Sequence, residues 1–233
     1  MTVDAQLARE AVRRCVLFRL ADETTIDAVV GELRKRRFRR GETIFHQGDP
    51  GDAFHVVASG SVKIVLPSPT GREGAILVTL RRGEFFGELA LLDGSHRTAS
   101  VVALEPTETL VLHRTHLDRL IDADPGFRRS LLASLAGEIR RITGHVEALH
   151  FLDLAGRLAR RIVDLAEQAR PGARSDVRLD WPYTQSDLAG MIGGSRESVN
   201  RLLAGLVADG VIRLERDALV IPDVDRLAAE VGR

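Results

Sequence analysis

The chain has 233 residues, 44% of them hydrophobic and 28% charged, with 33 basic and 33 acidic side chains and a formal net charge of zero. That is the composition of a globular protein able to bury one large or two modest cores, and the zero balance gives no support to nonspecific polyanion binding. A single cysteine, Cys15, excludes an intrachain disulfide and any four-cysteine zinc or iron–sulfur site within one chain. No apolar run approaches the ~20 residues needed to cross a bilayer, and the polar opening MTVDAQLARE lacks the apolar centre of a secretory leader. The expected location is therefore the cytoplasm, with no membrane partner.

In chain order, residues 1 to 35 read as helical, with Ile26, Val29, Val30 and Leu33 at spacings of three and four. The basic run Arg34, Lys35, Arg36, Arg37, Arg39 and Arg40 follows. It fits either a nucleic-acid patch or the solvated helix end and first strand of a domain. From Arg36 to His113 the texture is short β-rich runs: 43–45, 53–58, 62–66, 76–80, 99–103 and 109–112. Turn glycines separate them at 41, 48, 51, 60, 71, 74, 83 and 94. Many short strands at this spacing predict a barrel or jelly roll.

Asp124-Pro125 predicts the start of a long helix, an N-cap followed by proline in the first turn. Along it Leu132, Leu135, Ile139, Ile142, Val146 and Leu149 are spaced 3-4-3-4-3. Such a seam is narrower than the stripe of a helix lying on its own core, and it reads as a parallel dimer contact or as packing within the monomer. Phe151-Leu152-Asp153 and Gly156 mark a hinge. Asp153 caps a further helix carrying Leu154, Leu158, Ile162 and Leu165, which must end before Pro171.

The third segment holds a helix-turn-helix pattern. Thr184 and Asp187 form a capping box, Leu188 and Ile192 an apolar face, Gly193-Gly194 a tight turn, and Ser195 caps a second helix. Val199, Leu202, Leu203 and Leu206 face inward there, leaving Arg196, Glu197, Asn200 and Arg201 outward on the N-terminal side, where a recognition helix reaches base edges. Arginine matches the two acceptors of guanine and glutamate accepts from the cytosine amino group, while Ser195 and Ser198 suit phosphate. The bland alternative is an ordinary exposed helix with a Glu197–Arg201 salt bridge. Two runs, 211–214 and 219–221, joined at Arg216-Asp217, predict a hairpin wing. From Pro182 onward six arginines face eight acids, so affinity for phosphates has to come from local placement; Arg157, Arg160 and Arg161 are candidates to help.

In the barrel, Phe86-Gly87-Glu88-Leu89-Ala90-Leu91-Leu92 followed by Arg97-Thr98-Ala99 has the chemistry of an anion cassette. Gly87 permits close backbone approach, the amides after it donate to an anion, Glu88 accepts from a sugar hydroxyl, Arg97 grips a phosphate and Thr98 adds a donor. A structural Glu88–Arg97 ion pair is the competing reading. The seven histidines, 46, 55, 96, 113, 116, 145 and 150, show no paired metal spacing. No nucleophile–base constellation or Walker-type loop points to an enzyme.

Four stretches in order, GETIFHQGDPGDAFHVVASGSVKI, GELALLDGSHRTASV, FLDLAGRLAR and TQSDLAGMIGGSRESVNR, resemble the family of the cyclic-AMP receptor protein and the fumarate-nitrate reductase regulator (CRP/FNR). The resemblance covers nearly the whole chain. It implies an α+β fold with an N-terminal β jelly-roll cyclic-nucleotide-binding domain at 1–123, a long dimerisation helix at 124–152 and a C-terminal winged helix-turn-helix at 153–233. It implies a transcription factor, not an enzyme, that binds DNA as a homodimer at a palindrome with TGTGA-like half-sites, meets RNA polymerase, and is controlled by cAMP or another cyclic nucleotide, with no metal. In that frame Gly87, Glu88, Leu89, Arg97 and Thr98 hold the nucleotide, Glu88 on the ribose and Arg97 with Thr98 on the cyclic phosphate. Two adjacent hydroxyl residues of the dimer helix touch the adenine in such proteins; here the pair is Ile142 and Thr143, so Thr143 alone carries a hydroxyl and the base preference stays open. Ser195, Arg196, Glu197, Ser198 and Arg201 fall on the DNA-contacting positions. A nucleotide-binding module attached to another activity, or a regulator that binds DNA constitutively, are the alternatives.

Overall fold

The computed structural model describes residues 5–68 and 74–232; Gly71, residues 1–4 and Arg233 lie outside them. The chain divides into two compact units, 1–67 with 76–140 and 68–75 with 141–233.

The first unit opens with helix α1 (Ala5–Arg14), a 3-10 turn (Val16–Phe18) and α2 (Glu23–Glu32), whose N-cap Asp22 accepts from the Thr25 amide. The single helical stretch expected from the sequence is thus broken into pieces. Eight strands follow: β1 (Arg34–Phe38), β2 (Thr43–Phe45), β3 (Ala53–Ser59), β4 (Ser61–Leu66), β5 (Ala75–Arg81), β6 (Phe85–Phe86), then α3 (Leu89–Asp93), β7 (Ser100–Ala103) and β8 (Thr107–His113). They form two sheets, ordered β1-β8-β3-β6 and β2-β7-β4-β5, which is jelly-roll connectivity. The basic run is the solvated strand: Lys35 and Arg37 both pair with Glu108 on the neighbouring β8.

Strand β3 is buried on both faces, because the sheet that contains it is covered twice. Phe54 and Val56 pack outward against α1, α4 (Arg114–Ala123) and the 3-10 turn, in a cluster with Cys15, Leu17, Leu110, Leu112, Leu117 and Phe127. Burial pushes the Cys15 thiol up to about 12, so it behaves as a small core residue. Val57 points the other way, into the barrel with Val62, Phe86 and Val101. This alternation is the period of two expected of a strand with a core on each side.

Asp124 caps α5 (Pro125–Phe151) by accepting from the Phe127 amide at 2.9 Å. Phe127 and Leu131 are buried on the helical core and Leu135 packs partly on it, so Leu135 serves the protomer's own core more than the expected seam. Leu132, Ile139, Ile142, Val146 and Leu149 are exposed, between 43% and 66%.

The second unit contains the end of α5, α6 (Leu154–Ala169), β9 (Ser175–Asp180), α7 (Gln185–Ile192), α8 (Arg196–Ala208), β10 (Arg213–Leu214), β11 (Ala218–Asp223) and α9 (Val224–Ala228). Asp153 caps α6 through the Gly156 amide at 2.7 Å, and Gly156 itself belongs to the first turn of α6 instead of the hinge. The wing is a three-stranded sheet, β10-β11-β9. Its third member, β9, is not among the strands expected from the sequence.

Replacing Phe127, fully buried against the Phe18 ring at 5.2 Å, with alanine is expected to destabilise the first unit by about 3–5 kcal/mol. A urea midpoint within error of the parent's contradicts this placement of the core.

Candidate ligand site and DNA-reading helix

Arg97 lies between the end of α3 and β7 and is only 6% exposed. Its guanidinium donates to the Gly87 carbonyl at 2.5 Å and the Ala53 carbonyl at 2.6 Å, and sits over the Phe45 ring at 4.1 Å. Among the described residues no carboxylate is within ion-pair distance of it, which removes the Glu88–Arg97 pair expected as an alternative. Its buried Nε has no hydrogen-bond partner. A buried cation bonded only to neutral carbonyls, with an N–H left over, fits an anionic ligand.

The surroundings hold this cation in place. Gly87 has φ of +88°, and a Cβ there would stand 2.7 Å from Arg97 Nη1, so only glycine allows the approach. Behind Phe45, His55 stacks on Phe86 at 4.9 Å and 9° and pairs through Nδ1 with the Thr109 hydroxyl at 3.1 Å. Burial, then the charges of Arg97, Arg36 and His113, bring the His55 imidazole down to about 3, so it is neutral beside the guanidinium. Arg114 donates to the carbonyls of Ala90, Leu91 and Gly51, fastening α3 to the barrel.

Glu88 is half-buried at the N-terminal end of α3. Burial raises its carboxyl to about 7, with Glu138 of α5 adding to the rise and Arg97 opposing it. Leu89 and Thr98 are exposed; the Thr98 carbonyl accepts from Gln47 Nε2 at 3.2 Å. Of these five, Gly87 and Arg97 meet directly, and Glu88, Leu89 and Thr98 are their chain neighbours in the stretch from β6 through α3 to β7. Thr143 is exposed on α5, in the second unit. Phe45, His55 and Arg114 escaped the sequence reading. An aromatic or a histidine inside a strand carries no local mark of what it faces, and Arg114 reads as an ordinary residue opening a helix.

In the second unit the capping box is complete: the Thr184 hydroxyl accepts from the Asp187 amide, and the Asp187 carboxylate accepts from the Thr184 amide at 2.8 Å. Gly193, φ +68°, ends α7 in the left-handed conformation that turns the chain into α8. Ser195 caps α8 by accepting from the Ser198 amide at 3.2 Å, and its hydroxyl donates to Ser198 Oγ at 3.1 Å. Val199 and Leu203 are buried, whereas Arg196, Glu197, Asn200 and Arg201 are exposed. No Glu197–Arg201 ion pair forms among the described residues. The amide of Glu197 itself, then the Ser195 hydroxyl, hold the Glu197 carboxyl below the usual range, so it is an ionised acceptor on the open side of the helix.

Among the described residues no group of three His, Cys, Asp or Glu side chains could hold a metal ion, and no helix is long and apolar enough to cross a membrane.

Residues 35–124 match the family model of the cyclic nucleotide-binding domain, and residues 156–230 that of the Crp-like helix-turn-helix domain. A CRP-like cAMP-activated global transcriptional regulator of Mycobacterium tuberculosis is 33% identical over 94% of this chain and 97% of its own length. The cyclic AMP receptor protein of Thermus thermophilus is 36% identical over 81% of this chain and 84% of its own length. Among solved structures, the c-di-GMP responsive global regulator CLP of Xanthomonas campestris superposes with a TM-score of 0.72 at 26% identity, covering 86% of this chain and 99% of that one.

Because the folded state favours protonated Glu88 more than the unfolded chain does, the parent loses stability as pH rises from about 4.5 toward about 7. Glu88→Gln is expected to leave the ligand-free melting temperature at pH 5 nearly unchanged and to raise it by about 4 °C or more at pH 8. Equal shifts at both pH values contradict the burial of this carboxyl.

Proposed function

We propose, from the premise that this chain belongs to the CRP/FNR family of transcription regulators, that cAMP is the effector that turns on its binding to a palindromic operator. The protein is a ligand-responsive, DNA-binding regulator and not an enzyme. The observation that carries the effector reading is Arg97, a buried guanidinium with no anionic partner and an unbonded Nε. A cyclic nucleotide supplies one phosphodiester charge and a ribose hydroxyl. Arg97 with Thr98 would hold the first and Glu88 the second, while Gly87 and Leu89 shape the backbone around them. The assignment of Thr143 to the base is part of the same proposal.

Ile142 replaces the second hydroxyl of that base contact and is 49% exposed on the apolar stripe of α5. This favours one second reading, a different nucleotide effector, for which the c-di-GMP responsive relative is a precedent. Arg97 suits any phosphodiester; the base pocket decides between them.

The DNA half rests on the open face of α8. Arg196, Glu197 and Arg201 are placed to read base edges of TGTGA-like half-sites, and Ser195 and Ser198, which already cap the helix, bring the first turn to a phosphate. The exposed stripe Leu132, Ile139, Ile142, Val146 and Leu149 would be covered by the same stripe of a second copy, giving the two-fold assembly that a palindrome requires. RNA polymerase is the expected partner at the promoter, and the cytoplasm the expected location.

Arg97→Leu is expected to abolish cAMP-stimulated operator binding in a mobility-shift assay while leaving unstimulated binding unchanged; stimulation that survives contradicts the site. Ile139→Glu is expected to shift the protein to monomer in sedimentation equilibrium and to weaken operator binding at least tenfold. An unaltered dimer contradicts the seam.

A further inference from the structure

Three arginines and a histidine gather where α5 gives way to α6. Arg141 and His145 are one turn apart on α5, Arg157 and Arg161 one turn apart on α6, so each pair shares a helix face. All four belong to the second unit. The three arginines act on His145, which is half-buried: burial first, then Arg141, Arg161 and Arg157, hold its imidazole below the ordinary histidine range. Arg157 is half-buried, its Nε is enclosed without a hydrogen-bond partner, and among the described residues no carboxylate reaches its guanidinium. Arg161 Nε is spent on the Met191 thioether at 3.4 Å, a weak acceptor.

Like charges one turn apart destabilise a helix, and Arg157 adds its charge to the first turns of α6, the positive end of the helix dipole. The exposed face of the same helix is built differently: Arg160 donates to Asp164 at 3.1 Å. An acid is thus supplied to the arginine that water already solvates, and none to Arg157.

We propose that the α5–α6 junction is a binding site for a phosphate-type oxyanion, held by Arg157 and Arg161 from α6 and by Arg141 and His145 from α5. A tetrahedral oxyanion accepts from the unbonded Arg157 N–H, neutralises the repulsion and turns the imidazole into a fourth donor by favouring its protonated form. This site is separate from the Arg97 cassette and stands whether or not cAMP is the effector. Its phosphate can come from a small phosphorylated ligand or from the DNA backbone.

The test follows the His145 ring resonances of the full-length chain across pH by NMR, with and without inorganic pyrophosphate. The expected result is that pyrophosphate moves the His145 midpoint upward by half a pH unit or more, that Arg157→Gln and Arg157→Ala abolish the movement, and that Arg160→Ala keeps it. In parallel, operator affinity is measured against salt. A fall of about one in the slope of log Kd against log salt for Arg157→Gln assigns the site to a DNA phosphate, and an unchanged slope with the pyrophosphate response present assigns it to a small ligand. A His145 midpoint that pyrophosphate does not move, or that moves equally in the Arg157 variants, overturns the site. Arg97→Leu is expected to leave the midpoint shift intact, which separates failure here from failure of the cyclic-nucleotide reading.

Discussion

Arg97 is the constraint around which the first unit is arranged. A guanidinium taken out of water needs hydrogen-bond acceptors, and this one receives two backbone carbonyls, an aromatic face and no carboxylate. Each neighbour makes sense from that starting point. Gly87 is glycine because a Cβ would strike Nη1; His55 is kept neutral so that a second positive charge does not share the barrel; and Arg114 ties down the short helix whose first residues border the cation.

The two units answer different demands with the same economy of caps and turns. In the first, a sheet covered on both faces supplies rigidity to the cassette, β3 serving the helical cluster with Phe54 and the barrel with Val57. In the second, a complete capping box, a left-handed glycine and a serine cap fix the angle between α7 and α8. With Val199 and Leu203 buried, the polar side of α8 is committed to the outside. That side is locally basic and acidic in turn within a segment whose arginines are outnumbered, so under the proposed function recognition would depend on where Arg196, Glu197 and Arg201 point and not on bulk charge.

Much of this was legible in the sequence because it is written in short-range chemistry. The β-rich runs, the Asp124 and Asp153 caps, the Thr184–Asp187 box and the Gly193 turn each need only three or four neighbouring residues to be recognised. What escaped depends on contacts distant in the chain. β6 is two residues long and α3 five, too brief for any periodicity; the basic run fits either a first strand or a nucleic-acid patch, and what decides for the strand, Glu108 on β8, is distant in the chain. Leu135 continues the seam by spacing alone, yet it packs partly against the protomer's own core. The residues of the proposed cassette stand out by type, but what sets Arg97 apart, its unbonded Nε and its guanidinium carbon over the Phe45 ring, belongs to the fold.

If the cyclic nucleotide controls DNA binding, the two ligands are linked, and whatever factor cAMP adds to operator affinity the operator must add to cAMP affinity. The most direct measurement is therefore a calorimetric titration of the unmodified protein with cAMP, free and saturated with operator DNA, set beside the operator affinity with and without cAMP. The account predicts one shared factor, at least fivefold, from both directions. Binding of cAMP that leaves operator affinity unchanged, or no cAMP binding at all, contradicts it.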